Sequence, residues 1–538
     1  MRLPPPRIFT LDGTLRASKG DVVDTVTTSA DGTAVSKELY LGKYEGKEIT
    51  APFEMVLNEE IHAVELVYAG QNVAVTETAT SFYNERQRVE IDLIKRLMTD
   101  EAYGIGKNGE IFDVTFGLYA EKELTAADGT VIPADGLIEI ISLDENGNGK
   151  VKTDLPIGSY YAKELATNSA YILNGQKYPV VFEYAGQKTA TVHITANGGE
   201  AIENDIIYGS VSGKKSDEVG NALGGAVIGV FKTGTEKFTT ESAIQTTVTA
   251  ADGSFSFEKV PYGTWVIREI ESPTGFVLSE EEITVTIGAV DEVVEIELVN
   301  YFIKGNIELN KVDKDYPDNK LTGAEFEVYT DTNGDGKLDN GDKLLGTMTE
   351  LDGGVYQMKE LRYGKYLVRE KTAPTGFVLD ENVYSVSIEE NGKTYIVENE
   401  AGVGFVNAAQ KGSLKIVKTS SDGKIEGFSF RVTSDNGYDQ TFKTDKNGEI
   451  FIEGLRIGEY TVSEVSDSVS AGYILPADKQ ATVKVGATTI VEMHNELRDT
   501  PKTGDDFNLA LWVSLAAASV LGAGVLGFVG FKKKKKED

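Results

Sequence analysis

Cysteine is absent from the 538 residues, so no disulfide can hold this chain together. Histidine is nearly absent as well. His62, His193 and His494 lie far apart, which excludes a zinc site and a histidine-based catalytic triad. Methionine is scarce, at six residues, and basic residues are outnumbered, 53 against 85 acidic. The formal charge of −32 excludes nucleic acid as a partner, because a phosphate backbone needs a basic face. What the chain does have is 57 glycines, 24 tyrosines and 22 phenylalanines. That usage fits short strands joined by tight turns, an all-β chain long enough for several domains.

The most specific segment is the last. Leu509 to Phe531 carry no charge. A helix of that length is about 34 Å long, enough for a hydrocarbon core of about 30 Å. Lys532 to Lys536 follow, a basic run that keeps a tail on the cytoplasmic side. Just ahead stands Thr500-Pro501-Lys502-Thr503-Gly504. Pentapeptide, apolar span and basic tail in this order resemble the LPxTG sorting signal of Gram-positive wall proteins, with Thr500 in place of the usual Leu. The resemblance implies cleavage by sortase between Thr503 and Gly504 and transfer to a peptidoglycan precursor. It places the protein outside the cell, at the cell wall of a Gram-positive bacterium, with a transient C-terminal membrane anchor. The N-terminus, MRLPPPRIFT, has no apolar export segment, so the chain reads as starting late.

Between these ends one pattern repeats. Gly-x-Tyr/Trp is followed by Glu six residues after the Gly, at Gly42/Glu48, Gly158/Glu164, Gly263/Glu269, Gly364/Glu370 and Gly458/Glu464. A strand of alternating character ends in Lys at Lys95, Lys215, Lys311 and Lys418. Its period of two puts Ile307, Leu309 and Lys311 on one face. In the second of these strands Gly213 is expected to weaken the strand. A closing strand carries Asn at Asn84, Asn204, Asn300, Asn407 and Asn495. Asn204, Asn300 and Asn407 each precede by five residues the Gly that opens the next Lys strand. Linkers are therefore very short, which favours a stiff array.

Together with LTGAEFEVY (321–329) and YLVREKTAPTGFVL (366–379), these phrases resemble the Cna protein B-type or SpaA-type prealbumin-like domains of Gram-positive surface proteins and pilins. The resemblance implies a tandem array of small antiparallel β-sandwiches, prealbumin-like and Ig-like. The expected modules span 1–86 (incomplete, without its Lys strand), 87–207, 208–303, 304–410 and 411–498, with the sorting signal and one transmembrane helix at 499–538.

A Lys on an apolar face is costly as a cation, so burial drives it toward the neutral, nucleophilic amine. Burial has the opposite effect on Glu, which becomes an acid able to carry a proton. Asn offers an amide carbonyl and ammonia as leaving group. The expected triads are Lys95–Glu164–Asn204, Lys215–Glu269–Asn300, Lys311–Glu370–Asn407 and Lys418–Glu464–Asn495. Each would form an intramolecular Lys–Asn isopeptide bond once, as the resembled family does, without turnover and without a cofactor.

DTNGDGKLDNGD, residues 331–342, places Asp331, Asn333, Asp335 and Asp339 at positions 1, 3, 5 and 9 of an EF-hand-type loop. Lys337 would add its backbone carbonyl, and Asp342 stands where Glu is usual. Ca2+ is the expected occupant. DENGNGKVK, starting at Asp144, lacks the later acids and reads as a turn.

The leading functional expectation is a structural stalk, a wall-anchored protein or accessory pilin whose missing upstream region grips a host extracellular-matrix protein. A backbone pilin would carry Tyr-Pro-Lys, and the nearest phrase is Tyr178-Pro179-Val180. Two alternatives are an adhesin acting through the repeats themselves and a wall-attached enzyme whose catalytic domain lies upstream. Nothing in these residues supports catalytic turnover.

Overall fold

The computed structural model describes residues 7–10, 12–126, 128–399, 402 and 404–499. The sorting pentapeptide, apolar span and lysine tail lie outside them. Among the described residues no helix is long and apolar enough to cross a membrane. Two units divide the chain, Met1–Phe302 and Ile303–Asp538. Regular structure is almost wholly strand. The helical pieces among the described residues are the 3-10 turns Glu110–Asp113 and Ala196–Gly199.

In the first unit the third repeat shows the plan most simply. The Lys strand Tyr208–Asp217 runs between Ser254–Pro261, antiparallel, and Val293–Asn300, parallel. A four-stranded antiparallel sheet, in the order Gln245–Val248, Val227–Lys232, Gly263–Glu271, Ile283–Ile287, completes the sandwich. Alternation writes this directly: Phe255 and Phe257 are buried while Ser256 and Glu258 between and after them are exposed. The second repeat has the same plan, with Lys strand Arg88–Leu97. Its closing strand is split into Thr191–Thr195 and Ile202–Asn204 by the turn at Ala196–Gly199. One apolar cluster unites the third repeat's core, including Trp265 and Val285, with Tyr103, Tyr171 and Ile206 of the second. The rings of Tyr103 and Trp265 meet edge-on at 4.6 Å.

In the second unit the Lys strands are Lys304–Asp313 and Lys411–Ser420. The fourth repeat closes with Thr394–Val397 and Phe405–Asn407, the fifth with the continuous Thr488–Leu497. Arg456 of the fifth repeat donates to both carboxylate oxygens of buried Asp313 at the end of the fourth repeat's Lys strand. Its guanidinium also lies 4.7 Å from the ring centre of Tyr316.

Two expectations change. The sheets are antiparallel except where the first and last strands of a repeat pair, and there they run parallel in the second to fifth repeats. A parallel pair needs a long crossover, which the intervening strands of both sheets supply. At Gly213 the strand runs unbroken and paired on both sides, with Phe255 and with Ile296. A Cβ there would fall 2.3 Å from Cζ of Phe255, so the glycine is what admits that ring to the core.

Candidate functional site

The parallel pairing has one register throughout. Asn204 stands opposite Leu97, Asn300 opposite Asp217, Asn407 opposite Asp313 and Asn495 opposite Ser420. Each Asn therefore faces the position two beyond the Lys, on the same side of the sheet. The antiparallel neighbour brings the Glu strand across the core. All twelve side chains expected from the sequence are buried, from Lys311, Asn300 and Asn495 at 0% exposure to Glu464 at 8%.

In the second and fourth repeats the three groups touch one another; in the third and fifth Glu and Asn are hydrogen-bonded and the Lys amine stands near the Glu, with Lys215 Nζ and Asn300 Oδ1 buried without a hydrogen-bond partner. In the second, the amine of Lys95 donates to Asn204 Oδ1 at 2.5 Å, and Asn204 Nδ2 donates to Glu164 Oε1 at 2.7 Å. In the fourth, Lys311 donates to Asn407 Oδ1, lies 3.1 Å from Glu370 Oε1, and Asn407 Nδ2 donates to that same oxygen at 2.9 Å. In the third, Lys215 Nζ stands 3.4 Å from Glu269 Oε1, which also accepts from Asn300 at 2.9 Å. In the fifth, Asn495 donates to Glu464 Oε1 at 2.6 Å, but Lys418 is 3.9 Å from Oε2 and donates to the carbonyl of Thr419. The first repeat also joins its Asn to its Glu, with Asn84 donating to Glu48 at 2.6 Å.

Apolar walls surround the Lys amines. Phe405 lies 5.0 Å from the amine of Lys311, and Phe428 lies 4.5 Å from that of Lys418. Burial pushes Lys95 and Lys418 down to about 8 and lowers Lys215 and Lys311. The same desolvation raises Glu164 and Glu464. An amine, a primary amide and a carboxyl in mutual contact, sealed from water, suit transfer of an acyl group from one nitrogen to another.

Three supports escaped the sequence reading. The main-chain N–H of each Lys donates to a glycine carbonyl: Lys95 to Gly147, Lys215 to Gly253, Lys311 to Gly354 and Lys418 to Gly448, at 2.7 to 2.9 Å. All four glycines have positive φ. A Cβ on Gly147 would lie 2.1 Å from the carbonyl oxygen of Lys95. The recurring Asn-Gly, Asp-Gly and Gly-Gly turns were the available signal. Second, the aromatic of each Gly-x-Tyr/Trp phrase donates to the carbonyl four residues back: Tyr44 to Tyr40, Tyr160 to Pro156, Tyr366 to Arg362 and Tyr460 to Arg456. Trp265 makes the same bond to Pro261 through its indole N–H. The third support, a main-chain donor to the Glu, is described below.

In the 331–342 loop the acids cap their own backbone. Asp331 accepts from Gly334 and Gly336, and Asp342 accepts from Thr332 and Asp339. Among the described residues no group of three or more His, Asp or Glu side chains is gathered as for a metal. Asp144 accepts from the N–H groups of Asn146 and Asn148, the turn expected there.

The prealbumin-like fold domain SpaA matches residues 8–80, 103–197, 209–301, 305–401 and 412–497. Serine-aspartate repeat-containing protein D of Staphylococcus aureus (strain MW2) is 24% identical over 61% of this chain and 26% of that protein. The chain thus spans about a quarter of that relative's length. Among solved structures, the Bacillus anthracis TIE protein is 21% identical, with a TM-score of 0.45, over 72% of this chain and 68% of that one. BcpA, the major pilin subunit of Bacillus cereus, is 14% identical, with a TM-score of 0.27, over 54% and 99%.

Proposed function

Since the chain belongs to the SpaA prealbumin-like fold domain family, five copies in tandem, we propose that it is the structural stalk of a Gram-positive cell-surface protein or accessory pilin, cross-linked inside its repeats and joined to the wall by sortase. Its upstream region carries the adhesive function, with a host-matrix protein as the partner. It is not a turnover enzyme.

The observation that carries this reading is the fourfold recurrence of a buried Lys–Glu–Asn cluster in one register. The chemistry balances without an oxidant or cofactor. The neutral Lys amine attacks Cγ of Asn, and the new C–N bond forms as the bond from Cγ to Nδ2 breaks. Glu takes a proton from the attacking nitrogen and delivers one to the departing nitrogen, which leaves as ammonia. By analogy with disulfides, closing such long loops stabilises the fold by about 2–4 kcal/mol. It supplies what an extracellular chain without cysteine lacks.

The test is the mass of the purified, folded full chain. It should fall short of the sequence mass by one ammonia for each triad, and proteolysis should release branched peptides joining Lys to Asn. A full chain at sequence mass would refute the reading.

The 331–342 loop is proposed to take calcium, its carboxylates turning from their backbone donors to the ion, with the Lys337 carbonyl as a further ligand.

A further inference from the structure

In four of the five repeats the Glu has a second partner, its Oε2 accepting from a main-chain N–H: Glu48 from Asn58 at 2.7 Å, Glu164 from Asn174 at 2.9 Å, and Glu269 from Ser279 and Glu370 from Asp380, both at 2.8 Å. These donors hold one structural position. Each comes three residues after a residue that bridges to the chain two beyond the Asn, in the pairs Met55 with Arg86, Tyr171 with Ile206, Phe276 with Phe302 and Phe377 with Ala409. The donor thus sits in a short loop pinned at one end to the closing strand.

The fifth repeat has the same bridge, Tyr473 with Leu497. Three residues on stands Pro476, whose ring nitrogen carries no hydrogen. Glu464 Oε2 is buried there without a hydrogen-bond partner, whereas Asn495 Oδ1 shares that state with Asn300 Oδ1 of the third repeat. In the second, third and fourth repeats, where the N–H is present, Oε1 faces both nitrogens that exchange, and in the fourth Asn407 Nδ2 also reaches Oε2 at 3.0 Å. Where the N–H is missing, Lys418 is turned to Thr419 and the two contacts fall on different oxygens of Glu464.

We infer that this main-chain N–H is the positioning group for the reactive carboxyl, and that Pro476 withholds it from the fifth repeat, which therefore cross-links more slowly than the other three. The inference rests on the cross-linking reading above. The bond formed, the bond broken and the ammonia released are the same in every repeat; only the aim of the proton carrier differs.

The full chain, synthesised in a cell-free system and sampled over time, would be digested and its branched peptides quantified. The Lys95–Asn204, Lys215–Asn300 and Lys311–Asn407 peptides should form first. Lys418–Asn495 should lag by about tenfold or more, as expected for one lost hydrogen bond to a reacting acid. Pro476→Asn and Pro476→Ala should both bring the fifth repeat to the pace of the others, because either restores the N–H whatever its side chain. Ser279→Pro should slow the third repeat by a similar factor while Ser279→Ala does not. Equal rates in the four wild-type repeats, or a lag that neither Pro476 variant shortens, would overturn the inference while leaving cross-linking intact. No branched peptide from any repeat would refute the cross-linking reading and this inference with it.

Discussion

The amine of Lys311 donates to the side-chain carbonyl of Asn407 although 96 positions separate them in the chain. The contact follows from register. Asn407 pairs with Asp313 in the parallel union of first and last strands, and Lys311 precedes Asp313 by one side-chain period. Glu370 arrives from the facing sheet and touches both groups.

Replacing that Glu should separate cross-linking from folding. Glu370→Ala in the full chain is expected to restore the mass of one ammonia and abolish the Lys311–Asn407 peptide, with the other repeats unaffected. Lys311→Ala should do the same. The fourth repeat should then melt at a lower temperature in both, read by differential scanning calorimetry. A retained branched peptide in Glu370→Ala would show that the carboxyl is not needed.

The second repeat should react faster as pH rises toward the Lys95 value. Lys95 and Glu164 are in contact and titrate as a pair. In acid both are protonated and the amine is a cation, so attack stops. Above the lowered Lys95 value of about 8 the amine is neutral, and the proton it gives up on attack passes through Glu164 to the departing nitrogen. Glu164, then Glu203 and Asp205, act against the burial of Lys95 and hold its value up from further fall. The rate of Lys95–Asn204 peptide formation should be low in acid, rise with pH through about 8, and level off above it. A rate still rising at about pH 10, where a free lysine titrates, would contradict this order.

The aromatic bond to the carbonyl four residues back should be measurable on its own. Tyr366→Phe keeps the ring and removes only the bond to Arg362. Its expected cost is about 1 kcal/mol in the stability of the fourth repeat, seen by urea unfolding of a chain that also carries Lys311→Ala. Trp265→Phe should cost more, since ring volume and the bond to Pro261 are both lost. A neutral Tyr366→Phe would mean that water replaces the bond at no loss.

Calorimetric titration of the full chain with calcium should reveal a site that Asp331→Ala and Asp335→Ala both remove. Absence of heat, together with an unchanged melting profile on adding calcium, would leave the loop as a backbone-capped turn.

Sorting should depend on Thr503 and Gly504. In a sortase-positive host, muramidase should release the mature protein and detergent should not. Recovery of detergent-extracted chain that still carries Lys532 to Lys536 would rule out wall attachment.

Side-chain identity made the clusters legible before any coordinates. Lys, Glu and Asn recur at fixed distances from glycine landmarks, and period-two burial put Ile307, Leu309 and Lys311 on one face. What stayed hidden was carried by the backbone. The carbonyl of Gly253 and the N–H of Ser279 leave no side-chain signature, since almost any residue offers the same N–H. Pro476 is the exception that betrays the donor by lacking it, and it gains meaning only once Tyr473–Leu497 is aligned with Phe377–Ala409. Gly213 misled because its intrinsic strand propensity is poor. Tertiary packing against Phe255 overrides that preference.

The placement of Lys near the end of the first strand and Asn at the end of the last has a consequence for reach. Lys95 and Asn204 bracket 109 positions, Lys311 and Asn407 bracket 96. An extended chain gains about 3.4 Å per residue, so these two repeats alone store roughly 370 Å and 330 Å of slack. A covalent tie between the bracketing residues takes that slack out of the tether. In the cross-linked form proposed above, a harder pull on the two ends of a repeat would then pay out no more chain.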